Sequence, residues 1–522
     1  MGIEMHVETV VVLLFALAAG VALLARWLSL PYTVALVLAG LALGSTHQFA
    51  TPHLSKELVF AVFLPGLLFE AAFHLEFRRF WANKLTLHSL AIPGVAVAIG
   101  LTAFLLTPVV SGLHFVEGFE LAHGAVFAAL IAATDPIAVV SLFKSVGAPK
   151  RLAILVEGES LLNDGTAVVF FGLVLSVVEG KDLSLAAAVL DFVRVVGIGA
   201  VVGAAVSYGA ARIIQRVDDA MVEITLTTVA AYGSFTLAEQ LHASGVIATV
   251  VAGMICGNYA AHTGMSATTR LSVESFWEYL AFALNSVVFL LIGLEVHVDD
   301  LLASWRPILA GYLAVTIGRA VVVWLVVLLL RRTREAVPPA WSWVLTWGGL
   351  RGGLSMVLAL GLPGDFPHRS VLITMTFGVV VLSILLQGFT VAPLLRKLGL
   401  VRSSADHGPL ELAKARLLSV QAGRARLDTL VAREPGGRGP IAELRDEYTQ
   451  REQRLAEEIE ALRKEHAASA TERRSIALRQ AIAAQKAALL KALHEGVIDQ
   501  EAFEQESREL DAAQLALAEI HS

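Results

Sequence analysis

The sequence has few charged residues and a single cysteine. Of its 522 residues, 16% are charged and 56% are apolar, and the mean hydropathy is +0.68, which excludes an ordinary water-soluble enzyme. Cys256 has no second cysteine with which to form a disulfide or a cysteine-based metal site. Forty Lys and Arg residues against 46 Asp and Glu residues leave no basic excess, so nucleic acid is not an expected partner.

The charges are concentrated at one end of the chain. Residues 403–522 hold 17 Lys and Arg and 21 Asp and Glu residues, whereas apolar runs long enough to cross a bilayer occur only before residue 402. We therefore predict a membrane domain over 1–402 and a soluble tail over 403–522. In the tail, Ile441, Leu444, Tyr448, Leu455 and Leu462 recur at helical spacing among charged residues, which predicts a helix able to self-associate or to bind a regulator.

Hydropathy and the charged loops predict an all-α membrane protein with thirteen spans. Basic residues gather in one set of alternate loops, so the N-terminus is expected outside and the tail in the cytoplasm, an arrangement that needs an odd number of spans. The cell membrane is the expected location. The predicted spans, numbered 1 to 13, are 7–26, 30–48, 54–75, 85–108, 121–143, 151–178, 186–213, 220–240, 243–260, 272–296, 301–330, 339–362 and 369–396.

Two spans contain residues that interrupt a helix beside a charge. In span 5, Pro136 follows Asp135 and removes a helical N–H donor, and in span 12 two glycine pairs flank Arg351 in GGLRGG. Irregular backbone at membrane depth occurs only against protein or water. If spans 1–6 and 8–13 are inverted repeats, the two broken helices are symmetry mates, and such helices form the ion sites of transporters.

Span 6 arranges its polar groups on two helix faces. Ser160 and Asp164 are four residues apart and share one face, and Glu159 and Asn163 share the next. Asp164, together with Asp135, Ser160 and the Thr134 carbonyl, offers the oxygen ligands that suit an alkali cation.

Other intramembrane charges have a plainer interpretation. Arg351 is the expected counter-ion of Glu159, and a buried ion pair that holds the helices together is favoured for these two residues. Glu70 in span 3 has no evident cation and is open to either interpretation. Arg194 and Arg319, in spans 7 and 11, are assigned no role in the ion site.

The four blocks that carry these residues resemble the electroneutral NhaP and NHE branch of the monovalent cation/proton antiporters. They are LLFEAA around Glu70, ATDPIAVV around Asp135, EGESLLNDGTA around Asp164 and GGLRGGLS around Arg351. They occur in order over most of the first 400 residues.

The resemblance implies a homodimer of thirteen-helix chains, each with a dimerisation part, a mobile core part and two crossing broken helices. It implies that Asp164 binds Na⁺ or H⁺ in turn, with Asp135, Ser160, Thr134 and Glu70 completing the site. A Glu159–Arg351 bridge and Asn163 would support that site. It implies electroneutral exchange without a cofactor, since Asn163 stands where the electrogenic branch has a second aspartate.

Three functional classes remain open from the residues themselves. A secondary antiporter couples Na⁺, Li⁺ or K⁺ to H⁺, because cation and proton compete for one carboxylate and only the occupied site changes its exposure. A passive cation channel would line a pore with the same acids. A membrane sensor would use the tail as its output.

Overall fold

The computed structural model describes residues 7–28, 32–44, 59–180, 184–295, 298–400, 404–431 and 440–465, with Gln485, Leu489 and Glu506 as isolated residues. Every regular element in these ranges is a helix, as the sequence predicts. In the described part of the chain, eight helices are long and apolar enough to cross a membrane when consecutive helical segments are counted together, and four more apolar helices are 10–17 residues long. The chain folds as two compact units, 1–402 and 403–522.

All thirteen predicted spans correspond to one helix or to consecutive helical segments. Single helices form spans 1 (Val7–Leu28), 2 (Tyr32–Gly44), 6 (Lys150–Val178), 7 (Leu185–Ile214), 8 (Ala220–Gln240), 10 (Ala267–Glu295) and 13 (Arg369–Lys397). Segmented helices, several with a π-helical turn, form spans 3 (Val59–Phe63, Leu64–His74), 4 (Lys84–Ser89, Leu90–Gly94, Val95–Gly112), 9 (Gly245–Ile255, Cys256–Ala260, Ala261–Thr263) and 11 (Val298–Ala303, Trp305–Leu330). A short helix, Phe77–Ala82, joins spans 3 and 4.

Spans 5 and 12 are broken where the sequence predicts. Span 5 consists of half-helices 5a (Leu121–Leu130) and 5b (Ile137–Val146), separated by an unwound segment that contains Pro136. Span 12 consists of 12a (Pro339–Trp347) and 12b (Gly353–Leu360), separated by the segment 348–352. Pro136 becomes the N-cap of 5b and Gly352 that of 12b, so each helix breaker starts a new half-helix.

The helix neighbours follow the predicted repeat. In the repeat, span 2 corresponds to span 9 and span 3 corresponds to span 10. Span 2 packs on span 10, and span 9 packs on span 3, as this correspondence requires. Spans 4 and 11 are partners under this exchange and pack against each other. One span lies between the two sets of six, so the second set crosses the membrane in the opposite direction. The fold is therefore a pair of inverted repeats, with the broken helices as symmetry mates.

The second unit is a helical hairpin in its described part. One helix, Ser404–Val431, packs against a second, Pro440–Glu465, which contains the predicted pattern of apolar residues. Arg424 Nη1 lies 2.6 Å from Glu452 Oε2 across the pair, and Leu455 and Ile459 are buried. The amphipathic pattern is thus used, at least in part, for packing within the tail itself.

Candidate functional site

The two broken helices meet through their unwound segments. The backbone N–H of Asp135 donates to the Leu350 carbonyl over 2.8 Å, which joins span 5 to span 12 at the break. The approach is close because residue 352 is glycine: a Cβ there would lie 2.6 Å from the Asp135 Cβ. The crossing therefore depends on a residue without a side chain at this position.

Asp135 lies beside the N-terminal ends of both second half-helices. Its Oδ1 accepts from the Ile137 N–H over 2.9 Å in the first turn of 5b. Its side chain lies against Gly352, the N-cap of 12b. Each helix N-terminus has a partial positive charge of about one half, so the two ends together offset about one negative charge.

Two guanidinium groups lie at the opposite, C-terminal ends of the first half-helices. Arg351 Nη1 donates to the carbonyls of Ala132 over 2.9 Å and Ala133 over 3.2 Å, directly after 5a. Arg319 Nε donates to the Leu345 carbonyl over 3.0 Å, in the last turn of 12a. These cations satisfy carbonyls that unwinding leaves without helical partners, and they offset the negative ends of the helices.

Glu159 is paired with Arg319, and the sequence-based assignment of Arg351 as its partner is wrong. Arg319 Nη1 and Nη2 donate to Glu159 Oε1 and Oε2 over 3.0 and 2.9 Å, a bidentate ion pair between spans 6 and 11. Both side chains are largely buried, with Glu159 only 4% accessible. The guanidinium of Arg351 instead donates to the main chain of span 5, where the freed carbonyls need a donor.

The other polar side chains of span 6 contact the unwound segment of span 5. Ser160 Oγ donates to the Thr134 carbonyl. Asn163 Nδ2 donates to the Ala132 carbonyl over 3.0 Å and to Thr134 Oγ1 over 3.1 Å. The Asp164 carboxyl lies close enough to the Thr134 backbone and to Asp135 to interact with both. Four of the predicted ion-site residues, Thr134, Asp135, Ser160 and Asp164, are thus brought together.

Accessibility divides this group in two. Thr134, Ser160 and Asn163 are buried, whereas Asp135 and Asp164 keep part of their surface accessible. The groups that shape the site are thus fully enclosed, and the two acidic residues beside them are partly enclosed.

Glu70 is not brought into this group by its contacts in the described part of the chain. Its Oε1 lies 3.2 Å from His74 Nδ1, one helical turn further along span 3. His74 also approaches Glu278 of span 10, with Nε2 3.8 Å from Oε1. The expectation that Glu70 has no nearby cationic partner is wrong, because a histidine four residues away can supply a positive charge when protonated.

The comparisons with known proteins agree on one family. The family model for the transmembrane part of sodium/hydrogen exchangers matches residues 11–397. The Na⁺/H⁺ antiporter NhaG of Bacillus atrophaeus is 39% identical over 399 residues, which cover 73% of each chain. The Na⁺/H⁺ antiporter NhaH of Halobacillus dabanensis is 36% identical over 75% of this chain and 98% of its own.

A solved structure has the same fold. The sodium proton antiporter MjNhaP1 of Methanocaldococcus jannaschii, at pH 8, matches with a TM-score of 0.63. The match covers 75% of this chain and 98% of the other, with 20% sequence identity. At this level of sequence identity, the match shows that the two chains share a fold.

Proposed function

This chain belongs to the transmembrane sodium/hydrogen exchanger family and is a Na⁺/H⁺ antiporter; from that premise we propose that exchange occurs one for one at Asp164. Na⁺ and H⁺ bind there alternately, and Thr134, Asp135 and Ser160 supply or position further oxygen atoms. Li⁺ and K⁺ are bound by the same kinds of ligand and are the alternative cations.

The observation that carries the proposal is the balance of charges at the crossing. The two helix N-termini beside Asp135 offset its negative charge. Glu159 and two helix C-termini offset the positive charges of Arg319 and Arg351. Of these five charged side chains, Asp164 is the one that is left without a fixed compensating charge. A carboxylate in that position is stabilised either by a proton or by a cation that comes and goes.

Competition at one carboxyl group is sufficient to couple the two ions. Burial favours the neutral, protonated form of a carboxyl, and a bound cation favours the ionised form. The bare carboxylate carries an uncompensated charge, which opposes movement of the site through a low-dielectric region. Only the protonated and the cation-bound sites change exposure, so each Na⁺ that crosses is exchanged for one H⁺.

Asn163 supports the one-for-one stoichiometry. Its amide donates to two oxygens of the unwound segment, so this neutral side chain holds the backbone of span 5 in place. An aspartate at this position would add a second ionisable group beside Asp164. With asparagine there, the site binds one exchangeable charge.

We further propose that the membrane unit has two parts. Spans 4–6 and 11–13 form the core part, because the Glu159–Arg319 pair and the crossing bind them together. The remaining spans form the dimerisation part, against which the core moves in a homodimer in the cell membrane. Glu70 is in span 3, outside the core part, so it would contact the ion in only some positions of the core.

The tail, residues 403–522, is cytoplasmic and regulatory.

Flux measurements in proteoliposomes separate this antiporter from the two alternatives. An imposed pH gradient should drive Na⁺ uphill, and a membrane potential set with K⁺ and valinomycin should leave the rate unchanged, since exchange moves no net charge. A channel would carry Na⁺ only downhill and would respond to the potential. A sensor would lose its function when the chain ends at Arg402, whereas the antiporter should still exchange ions. Testing Na⁺, Li⁺ and K⁺ separately identifies the cation.

A further inference from the structure

The connection between spans 3 and 4 carries exposed aromatic and basic side chains. In the helix Phe77–Ala82, the side chains of Phe77 and Trp81 are 45% and 51% accessible. Their rings stack at a centroid distance of 5.7 Å, and Lys84 Nζ lies 4.7 Å from the Trp81 ring centre. Tryptophan exposed at the end of a membrane span is typical of the boundary between lipid and water, and phenylalanine accompanies it on the apolar face of helices that lie there.

The charges of this segment are not balanced. Arg79 Nε lies 2.7 Å from Glu76 Oε2, so those two charges offset each other. Arg78 and Lys84 are exposed, and within the described residues neither has a carboxylate partner. Two cations beside two exposed rings complement an anionic headgroup attached to an apolar chain.

The helix Phe77–Ala82 is fixed to the span that carries the ion site. Phe80 is buried, and its ring packs against Gly158 of span 6, where an added Cβ would lie 3.1 Å from Phe80 Cδ2. Asn83 Nδ2 donates to the Arg79 carbonyl over 2.9 Å, and Asn83 Oδ1 accepts from Arg151 Nε of span 6 over 2.8 Å. A force on this helix therefore acts on span 6 next to Glu159.

We propose that Arg78, Lys84 and Trp81 form a binding site for the headgroup of an anionic phospholipid. The occupant is a lipid rather than a free phosphate ion, because the exposed rings of Phe77 and Trp81 require an apolar partner beside the charge. The bound headgroup holds the short helix, and through Phe80 and Asn83 it holds span 6. This effect on exchange rests on the proposed function of Asp164, whereas the binding itself does not.

Binding is tested with the purified full-length protein in detergent, by native mass spectrometry with phosphatidylglycerol or phosphatidylcholine. We expect the wild type to retain phosphatidylglycerol preferentially, and Arg78→Gln/Lys84→Gln to bind it about 25-fold more weakly, at about fivefold for each charge. The matched control, Arg331→Gln/Arg332→Gln, removes two exposed charges after span 11 and should bind like the wild type. Arg78→Lys/Lys84→Arg should retain binding. Equal binding by all variants would overturn the proposal.

Exchange is then measured in liposomes of phosphatidylcholine with and without phosphatidylglycerol. The anionic lipid should raise the wild-type and control rates severalfold and leave the Arg78→Gln/Lys84→Gln rate nearly unchanged. Equal stimulation of that variant would refute the coupling to span 6. Absence of exchange in the wild type would instead refute the antiport mechanism, and the binding result would still stand.

Discussion

Replacing Asp164 by asparagine is expected to abolish cation-dependent proton movement at every pH. Asparagine has nearly the same shape but cannot exchange a proton or supply a negative charge to a cation. Because the proposal gives both ions one binding group, both fluxes should stop together. Fluorescence-monitored proton efflux from proteoliposomes, with each alkali cation added in turn, measures the result.

Asp191→Asn is the matched control for this substitution. Asp191 lies in span 7, outside the two broken spans and span 6, so the same chemical change should leave exchange near the wild-type rate. Thermal unfolding in detergent verifies that the Asp164→Asn protein is folded. Robust exchange by the folded Asp164→Asn variant would show that another group carries the proton.

Breaking the Glu159–Arg319 pair is expected to cause the largest loss of stability. Glu159→Gln or Arg319→Gln leaves one buried charge without its partner, which costs about 3–5 kcal/mol. The double variant should lose less than the sum of the two single losses, because neither charge is then left unpaired. Thermal and denaturant unfolding of the purified proteins measure these differences.

Arg351 is the control that distinguishes the observed pairing from the one expected from sequence. Its guanidinium holds the Ala132 and Ala133 carbonyls, so Arg351→Gln should destabilise the protein without strong coupling to Glu159→Gln. If Glu159 has a larger coupling energy with Arg351 than with Arg319, the ion pair in the functioning protein is Glu159–Arg351 instead.

The sequence was sufficient to predict the thirteen spans and the breaks in spans 5 and 12, but not the segmentation of spans 3, 4, 9 and 11. Long apolar runs define the spans, and Pro136 and the glycines around Arg351 cannot continue a regular helix, so the breaks follow from local chemistry. The grouping of Ser160 and Asp164 followed from helical periodicity within one span. These features depend on residues that are close together in the sequence.

The partners between spans were harder to predict. Arg319 and Arg351 are both intramembrane cations, and periodicity within span 6 does not tell which of them faces Glu159. A signal was nevertheless present: the break at Pro136 frees carbonyls of span 5, and an arginine in the span that crosses it can satisfy them. For Glu70, the spacing of four residues to His74 predicts the observed contact. Distances between helices depend on packing over the whole membrane unit.

The most direct measurement of the central claim is proton release when Na⁺ binds to the purified protein. In weakly buffered detergent solution near the pH at which the site is half protonated, adding Na⁺ should release protons from the wild type, because the cation displaces H⁺ from Asp164. The Asp164→Asn protein should release none. Equal release by both proteins, or Na⁺ binding to the wild type without any release, would contradict a carboxyl group shared by the two ions.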